Sequence, residues 1–199
     1  QRIVHPEFSL GIAQFAIDWT PLRQILFADV WGSDRDTEDE ARPLDNTSYG
    51  HNVEFAWLLL HSIKILDLDV EKYKPALKKI FDHGAKYGVD WKNGGVYCDG
   101  PFDGPARERN KEFWQQAECL VGMLDAYLLF KDEKYIDAYE NVHRFTMDKV
   151  INHKVGEWFP LFDENNNLLW DYMGHAWKIN YHTVRSMIQS EARLLKILS

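Results

Sequence analysis

Cysteine is scarce in this 199-residue chain, which contains only Cys98 and Cys119. Two cysteines are too few for a disulfide framework and favour a reducing compartment. The sequence also lacks any run of about 18 apolar residues, so it predicts no membrane-spanning helix. Its opening residues, QRIVHPEF, lack an initiator methionine and the basic-then-apolar pattern of a signal peptide. We therefore expect a cytoplasmic chain that begins partway through a longer protein.

Positive charge is in deficit as well, because 23 Lys and Arg residues stand against 31 Asp and Glu residues, giving a formal net charge of -8. Nucleic acids and anionic membranes require clustered basic residues, so we expect neither as a partner and favour a small neutral ligand. The GxSxG, HExxH, CxxC and Walker motifs are missing. We therefore do not expect nucleophilic-serine, zinc or phosphate-loop chemistry.

Aromatic residues are plentiful: 8 Trp, 9 Tyr and 11 Phe make up 14% of a chain that is otherwise ordinary and globular in composition. Several of them stand beside Asp, Glu, Asn or His rather than within aliphatic runs. Such surroundings suit a sugar ring, whose C–H face stacks while its hydroxyls take hydrogen bonds. Packing in a hydrophobic core is the alternative for any single ring.

Apolar periodicity predicts five helices, at about 49–66, 71–87, 110–130, 133–150 and 179–198. Short connections follow the first and third helices, which forces neighbouring helices to run antiparallel. The long connections should therefore all meet at one end, where the odd-numbered helices begin. We expect short strands within these connections, at 93–100 and in a hairpin at 156–170. Another hairpin is expected at 15–32, followed by an acidic loop at 33–46.

Two histidines occupy matching positions at this end. His51 falls in the first turn of the first predicted helix and His182 in that of the fifth, while Trp114 lies one turn into the third. A helix N-terminus carries about half a positive charge, which disfavours imidazolium and stabilises an anion that forms in front of it. A neutral imidazole there suits removal of a proton alpha to a carbonyl group. Glu54 shares a helix face with His51 and is predicted either to orient that ring, to bind a hydroxyl, or only to cap the helix.

Two other functions remain open at this stage. A glycoside hydrolase needs two carboxylates across a cleft, and four acidic residues in or near the long connections are available, namely Asp99, Asp103, Glu118 and Asp171. A carbohydrate-binding module would keep the aromatic platforms without turnover.

The chain resembles one known family in five successive motifs. These are SYGHNVEFAWLLL, NGGVYCDG, KEFWQQAE, GEWFPLFDENNN and WKINYHTVR. Together they look like the C-terminal half of the N-acylglucosamine 2-epimerase superfamily, and most closely its cellobiose and mannobiose 2-epimerases. The resemblance implies an all-α fold, an (α/α)6 barrel with the site on its inner helices, of which residues 1–199 form the C-terminal part of a single domain. The missing N-terminal half would be needed to close the barrel, so we expect an exposed apolar seam and an inactive chain.

The resemblance also implies residue roles. His51 and His182 correspond to the two catalytic acid/base residues. The substrate-binding and supporting positions are Glu54, Trp114, Glu118, Trp177 and Arg185. The implied reaction exchanges the proton at C2 of a reducing sugar through a cis-enediolate, with neither metal ion nor cofactor. Returning the proton to C1 would give a ketose, so an aldose–ketose isomerase of the same fold is one alternative, and an N-acylglucosamine 2-epimerase is another.

Two departures from the family pattern bear on the substrate. Phe113 stands where the disaccharide epimerases often have a second Trp, which leaves the second sugar subsite open. The acylglucosamine epimerases tend to show a histidine and a serine around the position of Gln116, so the difference favours an unacetylated sugar.

Overall fold

Five α-helices dominate the computed structural model, which describes residues 46–101, 103–176 and 178–199. Their bounds are Tyr49–Ile65 (α1), Lys74–His83 (α2), Phe113–Phe130 (α3), Glu133–Phe145 (α4) and Tyr181–Leu198 (α5). All five predicted helices are therefore present. The predicted hairpin at 15–32 and nearly all of the acidic loop lie outside the described residues, as does Trp177. Within the described ranges, every helix is too short or too polar to cross a membrane.

α1 begins where its sequence supplies a cap. The Ser48 hydroxyl accepts a hydrogen bond from the backbone N–H of His51 at 3.4 Å. This bond satisfies one of the backbone donors that a helix leaves unpaired at its start. The cap fixes the place of His51 in the first turn.

α2 starts later than the sequence predicted. Pro75 has no backbone N–H and is tolerated only in the first turn of a helix, so the helix begins at Lys74. The residues before it form a separate 3₁₀ turn, Val70–Lys72, which is capped by the carboxylate of Asp69. The predicted start near 71 was therefore wrong by about three residues.

α2 and α4 end in the same way, which the sequence did not predict. Each continues into a wider π-helical turn, Gly84–Gly88 after α2 and Thr146–Val150 after α4. In both turns the last hydrogen bond joins residues five apart, from Val89 N–H to the Gly84 carbonyl and from Ile151 N–H to the Thr146 carbonyl. The α-helical ends predicted near 87 and 150 were therefore wrong: α2 ends at His83 and α4 at Phe145, and a π-helical turn follows each.

α3 lies at the centre of the helix packing. It contacts α1 on one side and α5 on the other, while α2 packs on α1 and α4 packs on α3. Almost the whole surface of α3 is buried from Phe113 to Ala126, which fits a helix covered by neighbours on several sides. The odd-numbered helices thus form one layer and the even-numbered helices a second. The closed (α/α)6 ring stays a prediction, because the described residues supply three helices of the first layer and two of the second.

Short antiparallel strands join the long connections. They are Asn46–Ser48 (β1), Asp99–Pro101 (β2), Lys111–Glu112 (β3), Ile151–Asn152 (β4), Glu157–Trp158 (β5), Leu161–Phe162 (β6) and Leu168–Trp170 (β7). β1 pairs with β2, β4 pairs with β5, and β6 lies between β3 and β7. The predicted hairpin at 156–170 is confirmed as β6 and β7. Because β1 leads directly into α1 and β3 into α3, the strand pairs hold the beginnings of these helices, and the long connections meet at one end as predicted.

A buried lysine, Lys111, connects the segments that meet where the long connections come together. Lys111 has no exposed surface, and its ammonium donates to Asp90 Oδ2 at 2.8 Å, to the Gly94 carbonyl at 2.7 Å and to Asn166 Oδ1 at 2.7 Å. Burial favours the neutral carboxyl of Asp90, but hydrogen bonds from Lys111 and from the Asn93 backbone hold its pKa below the usual value. The ion pair therefore links the turn after α2 to β3 and to the β6–β7 hairpin.

The outer face of α5 carries a row of exposed apolar side chains. Its members are Val184, Met187, Ile188, Leu195 and Leu198, each more than half exposed. An exposed apolar seam was predicted from the resemblance, and α5 provides it.

Candidate active site

The three aromatic residues singled out in the sequence come together. His51 in α1 and His182 in α5 both contact the indole of Trp114 in α3, with ring centroids 4.5 Å and 5.4 Å from it. Each of these residues lies in the first turn of its helix. The predicted convergence of two imidazoles at the end that receives the long connections is therefore present in the structure.

His182 is paired with a buried carboxylate. Its Nδ1 lies 2.6 Å from Oε1 of Glu118, a residue of α3 that is only 1% exposed. A carboxylate accepts hydrogen bonds, so Nδ1 carries the proton and Nε2 is the ring nitrogen left for another partner. The rings of Tyr181 and Trp114, whose centroids are 3.8 Å and 5.4 Å from that of His182, pack beside the imidazole and restrict its rotation.

An arginine joins the two carboxylates of the site. One terminal nitrogen of Arg185, Nη2, donates to Glu118 Oε1 at 2.6 Å and also to Glu54 Oε1. Burial acts against the charged guanidinium, but the hydrogen bonds and charges of Glu118 and then Glu54 raise the pKa of Arg185 above its usual value. Glu54 is thus held by Arg185, and the two acidic residues share one fixed positive charge.

The second oxygen of Glu118 is also occupied. Trp57 of α1 donates its indole N–H to Glu118 Oε2 at 2.9 Å, and its ring lies 5.0 Å from the guanidinium carbon of Arg185. Trp57 was not among the residues predicted to form the site. Its position three residues after Glu54, on the same helix face, is the signal that could have identified it.

Three potential metal ligands lie in this cluster. Single ligand atoms of Glu54, Glu118 and His182 come within 4.8 Å of one another. The guanidinium of Arg185 already stands between the two carboxylates and supplies the charge that would balance them. The donor set therefore works as an ion-pair network without requiring a cation.

The other predicted residues are placed differently. Asp99 is buried in β2, whereas Asp103 and Asp171 are exposed loop residues. Gln116 is fully buried, and its amide bonds to the backbone of Val96 at both its oxygen and its nitrogen. Gln116 thus supports the loop before α3, and Trp177 lies outside the described residues.

The first residue of α3 also faces the core. Phe113 is 4% exposed and presents the face of its ring to the ammonium of Lys178 at 4.9 Å. Its ring is consequently not available as an open sugar platform. Phe113 therefore does not supply the second sugar subsite, which the sequence left open at this position.

The sequence and the fold were compared with those of known proteins. A sequence model of the family described as N-acylglucosamine 2-epimerase (GlcNAc 2-epimerase) matches residues 15–186. A D-mannose isomerase of Marinomonas mediterranea is 34% identical over 137 residues, which cover 68% of this chain and 34% of that protein. A cellobiose 2-epimerase of Eubacterium cellulosolvens is 29% identical over 149 residues, covering 73% of this chain and 36% of that protein.

A solved structure agrees with these matches. The cellobiose 2-epimerase of Spirochaeta thermophila superposes with a TM-score of 0.69 at 32% identity, over 77% of this chain and 39% of that one. The chain thus spans between a third and two fifths of the length of these relatives. Because the family match extends over most of the sequence, the chain belongs to the N-acylglucosamine 2-epimerase family.

Proposed function

We propose that the protein is a carbohydrate isomerase, a 2-epimerase that interconverts the C2 epimers of a reducing disaccharide such as cellobiose or mannobiose. The observation that carries the proposal is the contact of two imidazoles, from α1 and α5, with the single indole of Trp114. Epimerisation requires one group to remove a proton from a sugar carbon and another to return it on the opposite face. Two acid/base side chains that converge on one aromatic ring suit that task.

In the proposed mechanism the open-chain aldehyde lies with C2 between His51 and His182. One neutral histidine takes the C2 proton, and the electron pair of the broken C–H bond moves toward the carbonyl to form a cis-enediolate. The other histidine, in its protonated form, then delivers a proton to the opposite face of C2. Each positioned acid or base contributes about 10²–10⁴-fold. The helix N-termini that carry both histidines stabilise the anionic intermediate.

Glu118 is proposed as a positioning residue. Its carboxylate holds the proton on Nδ1 of His182, so Nε2 faces the substrate as the base. Arg185 and Trp57 in turn fix the carboxylate from two other sides. Glu54 is proposed to hold Arg185 and to offer its remaining oxygen to a sugar hydroxyl. Trp114 supplies the stacking face, and Trp177 keeps the sugar-binding role that the resemblance implies.

An aldose–ketose isomerase is the second candidate function. It is favoured by the relative named D-mannose isomerase, which is 34% identical to this chain. The same enediolate serves both reactions, which differ only in whether the proton returns to C2 or to C1.

The test is incubation of the full-length protein with cellobiose, mannobiose or mannose in D2O, followed by NMR. Epimer formation with deuterium at C2 supports the proposal, whereas ketose formation would establish the second candidate. Release of monosaccharides from the disaccharides would indicate a hydrolase, and binding without any conversion would indicate a binding module. His51→Ala and His182→Ala should each abolish epimer formation, while His143→Ala, an exposed histidine of α4, should leave it intact.

We further propose that turnover requires helices beyond the five described. The proposal is supported by the exposed apolar row on α5 and by the share of the relatives that the chain covers. Turnover by residues 1–199 alone at the rate of a longer relative would contradict it.

A further inference from the structure

Two aromatic rings stack on the surface of β7 and the residues that follow it. Trp170 and Tyr172 are 42% and 52% exposed, their centroids are 5.7 Å apart, and their planes differ by 21°. The ring of His175 stands perpendicular to both, at 5.8 Å and 6.3 Å. Rings held in a fixed orientation at an open surface have already lost the rotational freedom that ligand binding would otherwise cost.

The strand register shows which way Trp170 faces. Trp170 pairs with Leu161, and Leu161 pairs with Glu112 across the sheet. A β-bulge follows in β7, because the next pair is Phe162 with Leu168 rather than with Leu169. Directly opposed residues of antiparallel strands place their side chains on the same face. The neighbouring strand pair, Lys111 with Phe162, is buried and lies on the other face. Trp170, Leu161 and Glu112 therefore form one row on the open face of the sheet.

This row leads to the candidate active site. The carboxylate of Glu112 accepts a hydrogen bond from the indole N–H of Trp114, the ring that both histidines contact. Trp170 lies two strands away from Glu112, which is about 10 Å at the usual spacing of strands. A ligand that touches both Trp114 and Trp170 must therefore be longer than a single sugar ring.

We propose that Trp170 and Tyr172 form a distal platform for the non-reducing part of an oligosaccharide whose reducing end lies at His51 and His182. The platform deepens the proposed function and rests on it. The exposed aromatic faces would stack on sugar C–H groups, and the exposed carboxylate of Asp171, between the two rings in sequence, would bind hydroxyls. Phe113, at the beginning of α3, is buried and cannot make this contact. Trp170 and Tyr172 would therefore supply the second sugar contact from β7 and the residues after it.

The test is a binding series measured by calorimetry, using mannose, mannobiose, mannotriose and mannotetraose, and the corresponding cello-oligosaccharides. Affinity is expected to rise with length as the ligand reaches the platform. Trp170→Ala and Tyr172→Ala should weaken the binding of the longest ligands by about tenfold, as expected for the loss of one aromatic contact, while leaving monosaccharide binding unchanged. Trp170→Phe, which keeps a ring, should recover most of the loss.

Trp91→Ala is the matched control. Trp91 is 50% exposed but belongs to the turn after α2, where its indole N–H donates to the Ala85 carbonyl. Equal weakening by Trp91→Ala and Trp170→Ala would overturn the platform, and so would an affinity that does not rise with ligand length. A change of oligomeric state in Trp170→Ala with unchanged sugar affinity would likewise overturn it and indicate a protein contact instead. Length-dependent binding without C2 exchange would refute the proposed reaction and leave the platform standing.

Discussion

The substitution Glu118→Gln tests the proposed positioning of His182 most directly. It preserves the size of the side chain but removes its negative charge. In the wild type, Glu118 accepts hydrogen bonds from His182, Arg185 and Trp57 while being only 1% exposed. The neutral amide offers one acceptor oxygen in place of two, and its NH2 group cannot accept from any of these three donors.

The size of the effect follows from these contacts. A positioned acid or base contributes about 10²–10⁴-fold to the rate, so loss of the charge that orients and stabilises protonated His182 should lower kcat by about 10²-fold or more. KM should change little, because Glu118 has no oxygen left for the sugar. The free energy of unfolding should fall by about 1–3 kcal/mol, since buried donors lose an acceptor.

The assay combines C2 exchange in D2O with denaturant unfolding of the same samples. The matched control is Asp125→Asn, which alters another buried acidic residue of α3 that is paired with an arginine, Arg193, at 2.5 Å. Asp125→Asn should cost similar stability and leave kcat near that of the wild type. Equal losses of kcat in the two folded variants would refute the positioning role and assign Glu118 to stability alone.

Three predictions concern the framework that holds the site. Lys111→Met should lower the free energy of unfolding by about 3–5 kcal/mol, measured by urea titration, because it leaves a buried carboxylate unpaired. Lys78→Met, which breaks a partly exposed ion pair, is the control and should lower it by less than about 1 kcal/mol. The pKa of Asp90 is held below its usual value, so its ion pair stabilises the fold above about pH 4, the pKa of an unfolded aspartate. This stabilisation is lost as the pH falls through the lower pKa of the folded state. Asp90→Asn should therefore flatten the acid limb of a plot of unfolding free energy against pH, and an unchanged limb would count against this account. Gly122→Ala should cost about 1–3 kcal/mol because the added methyl group overlaps α1, while Gly174→Ala, with open space around it, should leave the thermal midpoint unchanged.

The sequence predicted the helices well because their signals are local. Apolar spacing located all five, and the contrast between short and long connections predicted that His51 and His182 would lie at the same end. The start of α2 was missed because apolar spacing alone does not show that Pro75 must lie in the first turn, which moves the beginning of the helix to Lys74. The π-helical ends were missed because no local residue pattern separates them from α-helical continuation.

The polar network of the site could not be predicted in the same way. Contacts of Glu118 with His182 and Arg185 depend on how α3 and α5 are placed along their axes, which packing of the whole layer determines. Sequence spacing relates residues within one helix but not between two. For the same reason the sequence did not identify Trp57 as a residue of the site, although its N–H donates to Glu118.

The matching turns that end α2 and α4 have an engineering consequence. Each turn ends its helix pair, and the described residues that follow form short strands and turns before the next odd-numbered helix. Each helix pair therefore ends in the same local backbone conformation, from which a strand-bearing connection returns the chain to the beginning of the next odd-numbered helix. A graft of either connection should therefore start directly after its turn, at Val89 or at Ile151, where the chain leaves the helix pair.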